Sequence, residues 1–220
     1  MSDDELDRIW RRRILPGTET MAVPCAEPVT VFLGGQPAAG KTRAQRRVVD
    51  LYGGGMMPIV GDDFRQYHPD YVRLVRDDPV GMPDATARAA GHWTDMAVAY
   101  ADAHDVSCII EGTWRNRDTV LSEARRSIGL GRSNHAVVLA VPPVLSRLGL
   151  LRRFYMDLYA GRRARWTPPT AHEATVRALP GTVADVAASG LFGRFTVLGR
   201  DGVLYDGDDP AAFVCECVPM

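Results

Sequence analysis

The residues whose types and spacing most directly predict chemistry lie between Gly35 and Thr42, in the segment GQPAAGKT. Two glycines separated by four residues and followed by Lys and Thr match the phosphate-binding P-loop pattern. Gly35 and Gly40 permit backbone dihedral angles that a Cβ atom would obstruct, so successive N–H groups can turn inward around a phosphate. In such a loop, Lys41 contacts the β- and γ-phosphates and the Thr42 hydroxyl binds Mg²⁺. The predicted nucleotide-binding residues are Gly35, Gln36, Pro37, Ala38, Ala39, Gly40, Lys41 and Thr42.

The sequence on both sides of this segment favours a phosphate site. The apolar run VTVFLG precedes it, and a charged stretch without Pro or Gly follows it as far as Val49. The alternative is a Gly-rich turn that merely joins a strand to a helix, but a strand before and a helix after are the context expected of a P-loop. The amino end of that helix would direct its dipole and unpaired amides at the same phosphate. We therefore expect a protein that binds ATP or GTP.

Acidic residues follow the next two apolar strands. The strand at 57–60 is followed by GDDFRQYHP, which contains Asp62 and Asp63, and the strand at 106–110 is followed by Glu111. In a doubly wound sheet the carboxyl ends of parallel strands face the ligand. A carboxylate there can accept a proton from a reacting hydroxyl or hold the Mg²⁺ shell through water.

The alternation of strands and helices predicts an α/β protein with a three-layer P-loop kinase fold, in which helices flank a mainly parallel central sheet. We expect one domain over residues 1–220, with an N-terminal helix and loop at 1–28 and an irregular tail at 206–220. The predicted strands are 29–33, 57–60, 106–110 and 135–141, with a hairpin at 195–198 and 203–205. The predicted helices are 3–14, 40–52, 85–104, 119–128, 144–159 and 171–189.

Composition limits the partners. The 26 basic and 27 acidic residues give a net charge of −1, which argues against a strongly cationic nucleic-acid-binding surface. The sequence contains neither an apolar run long enough to span a membrane nor a pattern typical of a signal peptide. No two cysteines have the spacing of a redox or zinc motif. We expect a cytoplasmic protein that binds neither membranes nor nucleic acid.

Four segments, taken together and in order, resemble the zeta toxin family, the toxic kinases of bacterial toxin–antitoxin systems. They are GGQPAAGKT at 34–42, GDDFRQYHP at 61–69, IIEGTWR at 109–115, and LRRF at 151–154 with ARWTPPTAHE at 164–173. The resemblance extends from about Val29 to Gly207. That family phosphorylates an amino-sugar hydroxyl of UDP-N-acetylglucosamine, and a small helical antitoxin obstructs its nucleotide site. The resemblance therefore implies a kinase for a sugar nucleotide and an antitoxin partner.

The resemblance also implies roles for individual residues. Asp62 matches the general base of the family, with the adjacent Asp63 as its competitor. Arg153 and Arg165 match two arginines that lie against the transferring phosphate, a task for which planar, permanently charged guanidinium groups are suited. Arg152 is an alternative to Arg153, because the family spacing differs here by one residue. The predicted catalytic residues are Asp62, Lys41, Arg153 and Arg165.

Glu111, Thr113 and Arg115 match the sugar-nucleotide contacts of the family. For Thr113 the sequence leaves a second interpretation open, in which its hydroxyl caps the following helix. For His68 and His172 we expect structural roles.

Other functions remain possible on the sequence alone. The same fold and base could phosphorylate an antibiotic or a nucleoside, because fold similarity does not determine the acceptor. A polynucleotide 5′-hydroxyl kinase also combines a P-loop with an Asp base, but the near-zero net charge disfavours it. A nucleotide-binding module without catalysis is disfavoured by the presence of Lys41, Thr42 and Asp62.

Overall fold

The computed structural model of the chain describes residues 1–161 and 166–217. The strands are β1 (Val29–Gly34), β2 (Met57–Val60), β3 (Cys108–Gly112), β4 (Ser133–Leu139), β5 (Arg194–Leu198) and β6 (Val203–Gly207). The helices are α1 (Asp3–Ile9), α2 (Leu15–Met21), α3 (Lys41–Leu51), α4 (Gly61–Phe64), α5 (Tyr71–Asp77), α6 (Met82–Ala85), α7 (Ala87–Ala103), α8 (Arg117–Gly129), α9 (Pro143–Tyr159), α10 (Pro169–Ala188) and α11 (Pro210–Cys217). A π-helical turn (Trp10–Ile14) joins α1 to α2, and a 3₁₀ turn (Arg65–Tyr67) follows α4.

The six strands form one sheet in the order β2-β3-β1-β4-β5-β6. All neighbouring pairs are parallel except β5 and β6, which form an antiparallel hairpin at the edge. Parallel strands need crossover connections, and helices supply them here. The predicted α/β fold with a mainly parallel sheet flanked by helices is confirmed.

Alternate residues of β1 point into different layers. Val31 and Leu33 pack with α3 on one face of the sheet. Phe32 packs on the other face, in a cluster that also contains residues of α8, α10 and α11. Because both faces are covered, Val31–Leu33 of β1 are apolar on both sides of the sheet, as the VTVFLG run predicts.

The N-terminal segment differs from the prediction. A loop was expected after residue 14, but the helical path continues to Met21, with Pro16 in the first turn of α2, where a missing N–H costs little. The N-terminal helix packs against α7. Leu6 is fully buried, and the Trp93 indole N–H of α7 donates to the Leu6 carbonyl oxygen at 3.0 Å.

The predicted irregular tail is also wrong. Residues Pro210–Cys217 form α11, and the Asp209 carboxylate caps its amino end by accepting from the Ala211 N–H at 2.8 Å. Phe213 is fully buried, and its ring centroid lies 4.9 Å from that of Phe195. The apolar side of α11 is therefore part of the core.

The strands place the candidate site. Their carboxyl ends lead into the P-loop after β1, into α4 after β2, and into the segment at 113–116 after β3. Within the described residues, no helix is both long enough and apolar enough to cross a membrane.

Candidate active site

The P-loop connects β1 to α3, and its backbone differs in part from the prediction. Gly40 has φ +108°, a conformation in which side chains are strained, so this position needs the backbone freedom expected of its glycine. Gly35 does not have positive φ. A Cβ atom there would lie 3.0 Å from the Leu139 Cβ atom. A glycine is therefore needed at this position because the loop passes close to β4. The left-handed conformation falls instead on Ala38, with φ +62°.

Not every predicted nucleotide-binding side chain points into the cleft. Gln36 is 1% exposed, and its amide donates to the Val141 carbonyl oxygen at 2.5 Å. The Gln36 side chain therefore braces the loop against the segment after β4. Its backbone remains part of the loop.

Lys41, the first residue of α3, lies close to Glu111, near the end of β3. In the sheet register, Glu111 pairs with Leu33 on one side and with Val60 on the other. The Lys41 ammonium donates to the Gly35 carbonyl oxygen at 3.0 Å and lies 4.0 Å from a Glu111 oxygen. The other carboxylate oxygen of Glu111 accepts from the Gln45 amide at 2.6 Å.

Asp62 lies on α4, which begins directly after β2 and packs on α7. Its side chain is 44% exposed, it lines the cleft, and its Oδ1 atom accepts from the Arg65 Nε–H at 2.8 Å. Asp63 is not among the residues that line the cleft. The geometry therefore favours Asp62 over its neighbour as the reacting carboxylate.

The segment after β3 contributes Thr113 and Arg115 to the cleft. Asn116, and not Thr113, caps α8, because its side chain accepts from the N–H groups of Asp118 and Thr119. The capping interpretation of Thr113 is wrong.

Trp114 is a residue that sequence reasoning missed. Its backbone is left-handed, with φ +54°, and its ring is 4% exposed. The ring lies so close to Gly34 that a Cβ atom on that glycine would overlap it. The only sequence signal was a large aromatic residue within the IIEGTWR segment.

The wall on the opposite side of the cleft comes from α9 and the start of α10. Arg153 lines the cleft, whereas Arg152 does not. The Arg153 guanidinium donates to the Thr167 hydroxyl at 3.1 Å. The predicted Arg165 lies outside the described residues.

The two histidines of the matched segments have structural partners. His172 is 1% exposed and is hydrogen-bonded to the Ser146 hydroxyl at 2.7 Å, between α10 and α9. His68 accepts from the Asp70 N–H at 3.2 Å, and partial burial lowers the pKa of its imidazole. Both observations agree with the structural roles expected for them.

These elements enclose one cleft of about 820 Å³. Residues predicted from the sequence that line it are Pro37, Ala38, Gly40, Lys41, Thr42, Asp62, Glu111, Thr113, Arg115 and Arg153. A smaller cleft of about 180 Å³ lies on the other side of the P-loop, between Arg43 and Arg47 of α3 and Arg200 of the β5–β6 turn. The sequence did not predict this second cleft, because it depends on how the hairpin packs.

The oxygen donors of the main cleft are compatible with Mg²⁺. No cluster of three or more His, Cys, Asp or Glu residues that could hold a metal occurs in the described part of the chain. Mg²⁺ needs no such cluster, since in nucleotide sites it retains waters and uses one or two protein groups together with phosphate oxygens. The Thr42 hydroxyl and the Glu111 carboxylate belong to residues that line one cleft and could supply those groups.

Comparisons with known proteins identify the family of the chain. A model of the zeta toxin family matches residues 14–209. The Toxin zeta of Streptococcus pyogenes is 30% identical over 178 residues, which are 80% of this chain and 62% of that protein. The Toxin PezT of Streptococcus pneumoniae is 30% identical over 186 residues, 83% of this chain and 73% of that protein. The chain thus spans less than two thirds of the length of the zeta toxin that it matches.

Solved structures also show similarity to this chain. A chain from the PezAT chromosomal toxin–antitoxin system of Streptococcus pneumoniae aligns with a TM-score of 0.85 and 25% identity, over 100% of this chain and 90% of that one. A chain of the AvrRxo1-ORF1:-ORF2 complex aligns with a TM-score of 0.68 at 14% identity, over 98% and 73% of the two chains, which is a likeness of fold alone. Because the family model covers most of the sequence and its members share about a third of the aligned residues, the chain belongs to the zeta toxin family.

Proposed function

We propose that this protein is a kinase that transfers the γ-phosphate of ATP or GTP to a hydroxyl of UDP-N-acetylglucosamine. The observation that carries the proposal is the convergence of Lys41, Asp62 and Glu111 on one cleft from the ends of three adjacent strands. A P-loop alone would support nucleotide binding. A second ligand-facing carboxylate opposite the loop supports transfer to an acceptor.

The donor nucleotide would lie along the P-loop. The phosphates would contact the loop N–H groups and the amino end of α3, and the Lys41 ammonium would turn from the Gly35 carbonyl oxygen to the β- and γ-phosphates. The smaller cleft near Arg43 and Arg200 lies beside the loop, and the nucleoside would extend toward it. Mg²⁺ held by Thr42 would neutralise phosphate charge.

The acceptor would lie on the Asp62 side of the cleft. The Asp62 carboxylate would accept the proton of the sugar hydroxyl while that oxygen attacks the γ-phosphorus, and the nucleoside diphosphate would leave. Glu111, Thr113 and Arg115 would hold the sugar nucleotide, since their side chains offer hydroxyl and phosphate partners. Val80, Met82 and Pro83 give that end of the cleft an apolar wall.

Cationic groups would stabilise the charge that spreads over the transferring phosphoryl oxygens. Arg153 lines the cleft from α9, and we propose that Arg165 joins it. Lys41, Arg153 and Arg165 would then contact the phosphoryl oxygens from more than one side.

We propose a helical antitoxin as the protein partner. One structural relative comes from the PezAT toxin–antitoxin system. In this chain, α9 exposes Val144, Leu148, Leu151, Tyr155 and Leu158, each between 43% and 61% accessible. The alternating spacing of four and three residues forms a stripe along one helix face, onto which an amphipathic helix can pack. The α9 helix carries arginines at 147, 152 and 153 against one acid, Asp157. Although Arg147 pairs with Glu173 of α10, the remaining excess of positive charge favours an acidic partner over a second copy of the chain.

The partner proposal can be tested by co-purification with the protein encoded beside this gene. Leu148→Asp combined with Tyr155→Asp should abolish the complex, because two charges would be buried in an apolar interface. Leu130→Asp places a charge at an equally exposed apolar residue on another surface and should have no effect. A complex that survives the double substitution would show that the partner binds elsewhere.

The catalytic proposal is tested by mass spectrometry of the protein incubated with ATP, Mg²⁺ and UDP-N-acetylglucosamine. We expect a product with one added phosphate, absent with Lys41→Ala and reduced by about 10²–10⁴-fold with Asp62→Asn. Asp63→Asn is the matched control and should retain activity. No product from wild-type protein that still binds ATP would exclude this acceptor and favour an antibiotic or a nucleoside.

A further inference from the structure

Arg65 links the proposed base to a buried anchor on a different element. We propose that Arg65 is a positioning residue that fixes the orientation of the Asp62 carboxylate, and that Thr86 holds Arg65 in place. The inference rests on the proposed function, in which Asp62 is the base.

The two ends of the Arg65 guanidinium have different partners. Its Nε–H donates to Asp62 Oδ1 at 2.8 Å, while its Nη1 donates to the Thr86 hydroxyl at 2.6 Å and to the Pro83 carbonyl oxygen at 2.5 Å. A guanidinium is planar and carries its donors in fixed directions. Once Nη1 is anchored, the direction of the Nε–H bond, and with it the position of the carboxylate, is restricted.

The anchor is rigid. Thr86 is fully buried, and its hydroxyl donates to the Met82 carbonyl oxygen at 2.8 Å while it accepts from Arg65. The hydroxyl therefore uses its donor within the chain segment Met82–Thr86 and its acceptor on Arg65. The α4 helix also packs closely on α7, since a Cβ atom on Gly61 would lie 3.0 Å from the Thr94 hydroxyl oxygen.

A second pair with the same spacing shows what the Arg65–Asp62 pair would be without its anchor. Arg73 and Asp70 are also three residues apart and form an ion pair at 3.1 Å. That pair is open to solvent, with side chains 58% and 51% exposed, whereas the Arg65 side chain is only 17% exposed. Exposed pairs of this kind contribute little to structure. Arg65 differs because its far end is held by the hydroxyl of the buried Thr86 and by the Pro83 carbonyl oxygen.

Positioning matters because α4 has only four residues and the Asp62 side chain is 44% exposed. A side chain with that exposure can adopt several rotamers, of which few bring an oxygen within reach of the acceptor hydroxyl. A misplacement of about 1 Å can cost roughly a hundredfold in rate. Arg65 also lines the cleft. We expect it to supply that restriction through Asp62 and not through contact with the substrate.

The kinetic test compares Arg65→Met, Thr86→Val and the matched control Arg73→Met. We expect Arg65→Met to lower kcat for sugar-nucleotide phosphorylation by about 100-fold, with little change in KM for ATP, and Thr86→Val to lower it by about tenfold. Arg73→Met should match wild type. Arg65→Lys should not restore activity, since an ammonium cannot serve Asp62 and Thr86 from fixed directions. Wild-type kcat in Arg65→Met would overturn the inference.

A double variant separates positioning from direct contact. If Arg65 acts only through Asp62, adding Arg65→Met to Asp62→Asn should cause no further loss in single-turnover rate. Multiplied losses would mean that Arg65 contacts the phosphate or the sugar, which would overturn the inference.

A third readout does not depend on the acceptor. Carbodiimide labelling followed by mass spectrometry reports how accessible and how firmly paired each carboxylate is. We expect Asp62 to be labelled several-fold faster in Arg65→Met and Thr86→Val than in wild type or Arg73→Met. Equal rates would overturn the inference, even if wild type failed to phosphorylate UDP-N-acetylglucosamine and so refuted the proposed acceptor. Melting temperatures of all variants identify any that do not fold.

Discussion

The Glu111 carboxylate is held between Gln45 and Lys41, with one oxygen 2.6 Å from the Gln45 amide nitrogen and the other 4.0 Å from the Lys41 ammonium. The Lys41 and Glu111 side chains are 13% and 15% exposed. A negative charge this close to the P-loop lysine opposes binding of a nucleoside triphosphate unless a cation lies between the carboxylate and the phosphates. Its position is therefore better explained by a role in the reaction than by a role in nucleotide affinity.

Glu111→Gln should consequently lower turnover and tighten nucleotide binding. We expect kcat to fall by about 10²-fold through lost acceptor or Mg²⁺ contacts, while the Kd for ATP measured in EDTA decreases because repulsion is removed. Glu19→Gln, an exposed residue of α2, removes the same charge far from the loop and serves as the control. Weaker ATP binding by Glu111→Gln without Mg²⁺ would contradict this account.

Gly34→Ala should damage the P-loop through Trp114. The added methyl group would overlap the indole ring, and the ring has little freedom because it is buried on a left-handed residue. Overpacking of this kind costs about 1–3 kcal/mol. We expect a lower free energy of unfolding in urea together with weaker ATP binding.

Gly181→Ala is the matched control for that substitution. Gly181 lies inside α10, and a Cβ atom there would meet nothing within 4 Å. Alanine in a helix interior is favoured over glycine by roughly 0.5–1 kcal/mol, so this variant should be more stable than wild type. If Gly34→Ala and Gly181→Ala had the same free energy of unfolding, the close contact with Trp114 would not be what destabilises Gly34→Ala.

Phe213→Ala tests whether the tail belongs to the core. The ring is fully buried against Phe195, and removing such a side chain typically costs about 3–5 kcal/mol. Cys215→Ala changes an exposed residue of the same helix and should leave the urea midpoint unchanged. An unaffected midpoint in Phe213→Ala would mean that α11 is not packed in solution.

These cases show which features local sequence predicts. The P-loop, Asp62 and Glu111 were predictable because each follows an apolar strand, and parallel strands bring their carboxyl ends to one edge of a sheet. The contact of Arg65 with Thr86 was not predictable, since it joins residues 21 positions apart through the packing of α6 and α7. Trp114 was missed because a left-handed tryptophan is rare and only the neighbouring Gly34 explains it.

The α11 helix was not predicted, although the sequence contains a helix-start pattern. Asp209 followed by Pro210 is a typical helix start, and Phe213 and Cys217 are four residues apart on one face. The short length and position at the end of the sequence led to the opposite expectation. Burial raises the pKa of the Cys217 thiol to about 12, in keeping with a packed residue.

His135 of β4 is buried and should make the stability of the protein depend on pH. The Thr196 hydroxyl donates to Asp206 at 2.8 Å, so it accepts from His135 Nε2 at 2.7 Å, and His135 Nδ1 accepts from the Tyr52 hydroxyl at 2.9 Å. This chain of hydrogen bonds requires a neutral imidazole. Burial, assisted by the charge of Arg194, lowers the pKa of His135 from 6.5 to about 4.

The pKa of His135 is about 6.5 in the unfolded chain and about 4 in the folded chain, so acid destabilises the fold. Above about pH 6.5 both the folded and the unfolded chain hold a neutral His135, and its contribution is fully present. As pH falls toward 4, the unfolded chain binds a proton that the folded chain excludes, so stability is lost, by up to about 3 kcal/mol. The fall in urea-unfolding free energy between pH 7 and pH 5 should be smaller in His135→Gln than in wild type.

Tyr52→Phe distinguishes burial from the hydrogen-bond chain. Loss of the phenol leaves Nδ1 without its donor, so protonation of that nitrogen breaks no bond and the pKa of folded His135 should rise. The variant should then be less stable than wild type at pH 7, yet lose less of its remaining stability on acidification. If wild type, His135→Gln and Tyr52→Phe gave parallel profiles between pH 7 and pH 5, neither burial nor the Tyr52 bond would govern this histidine.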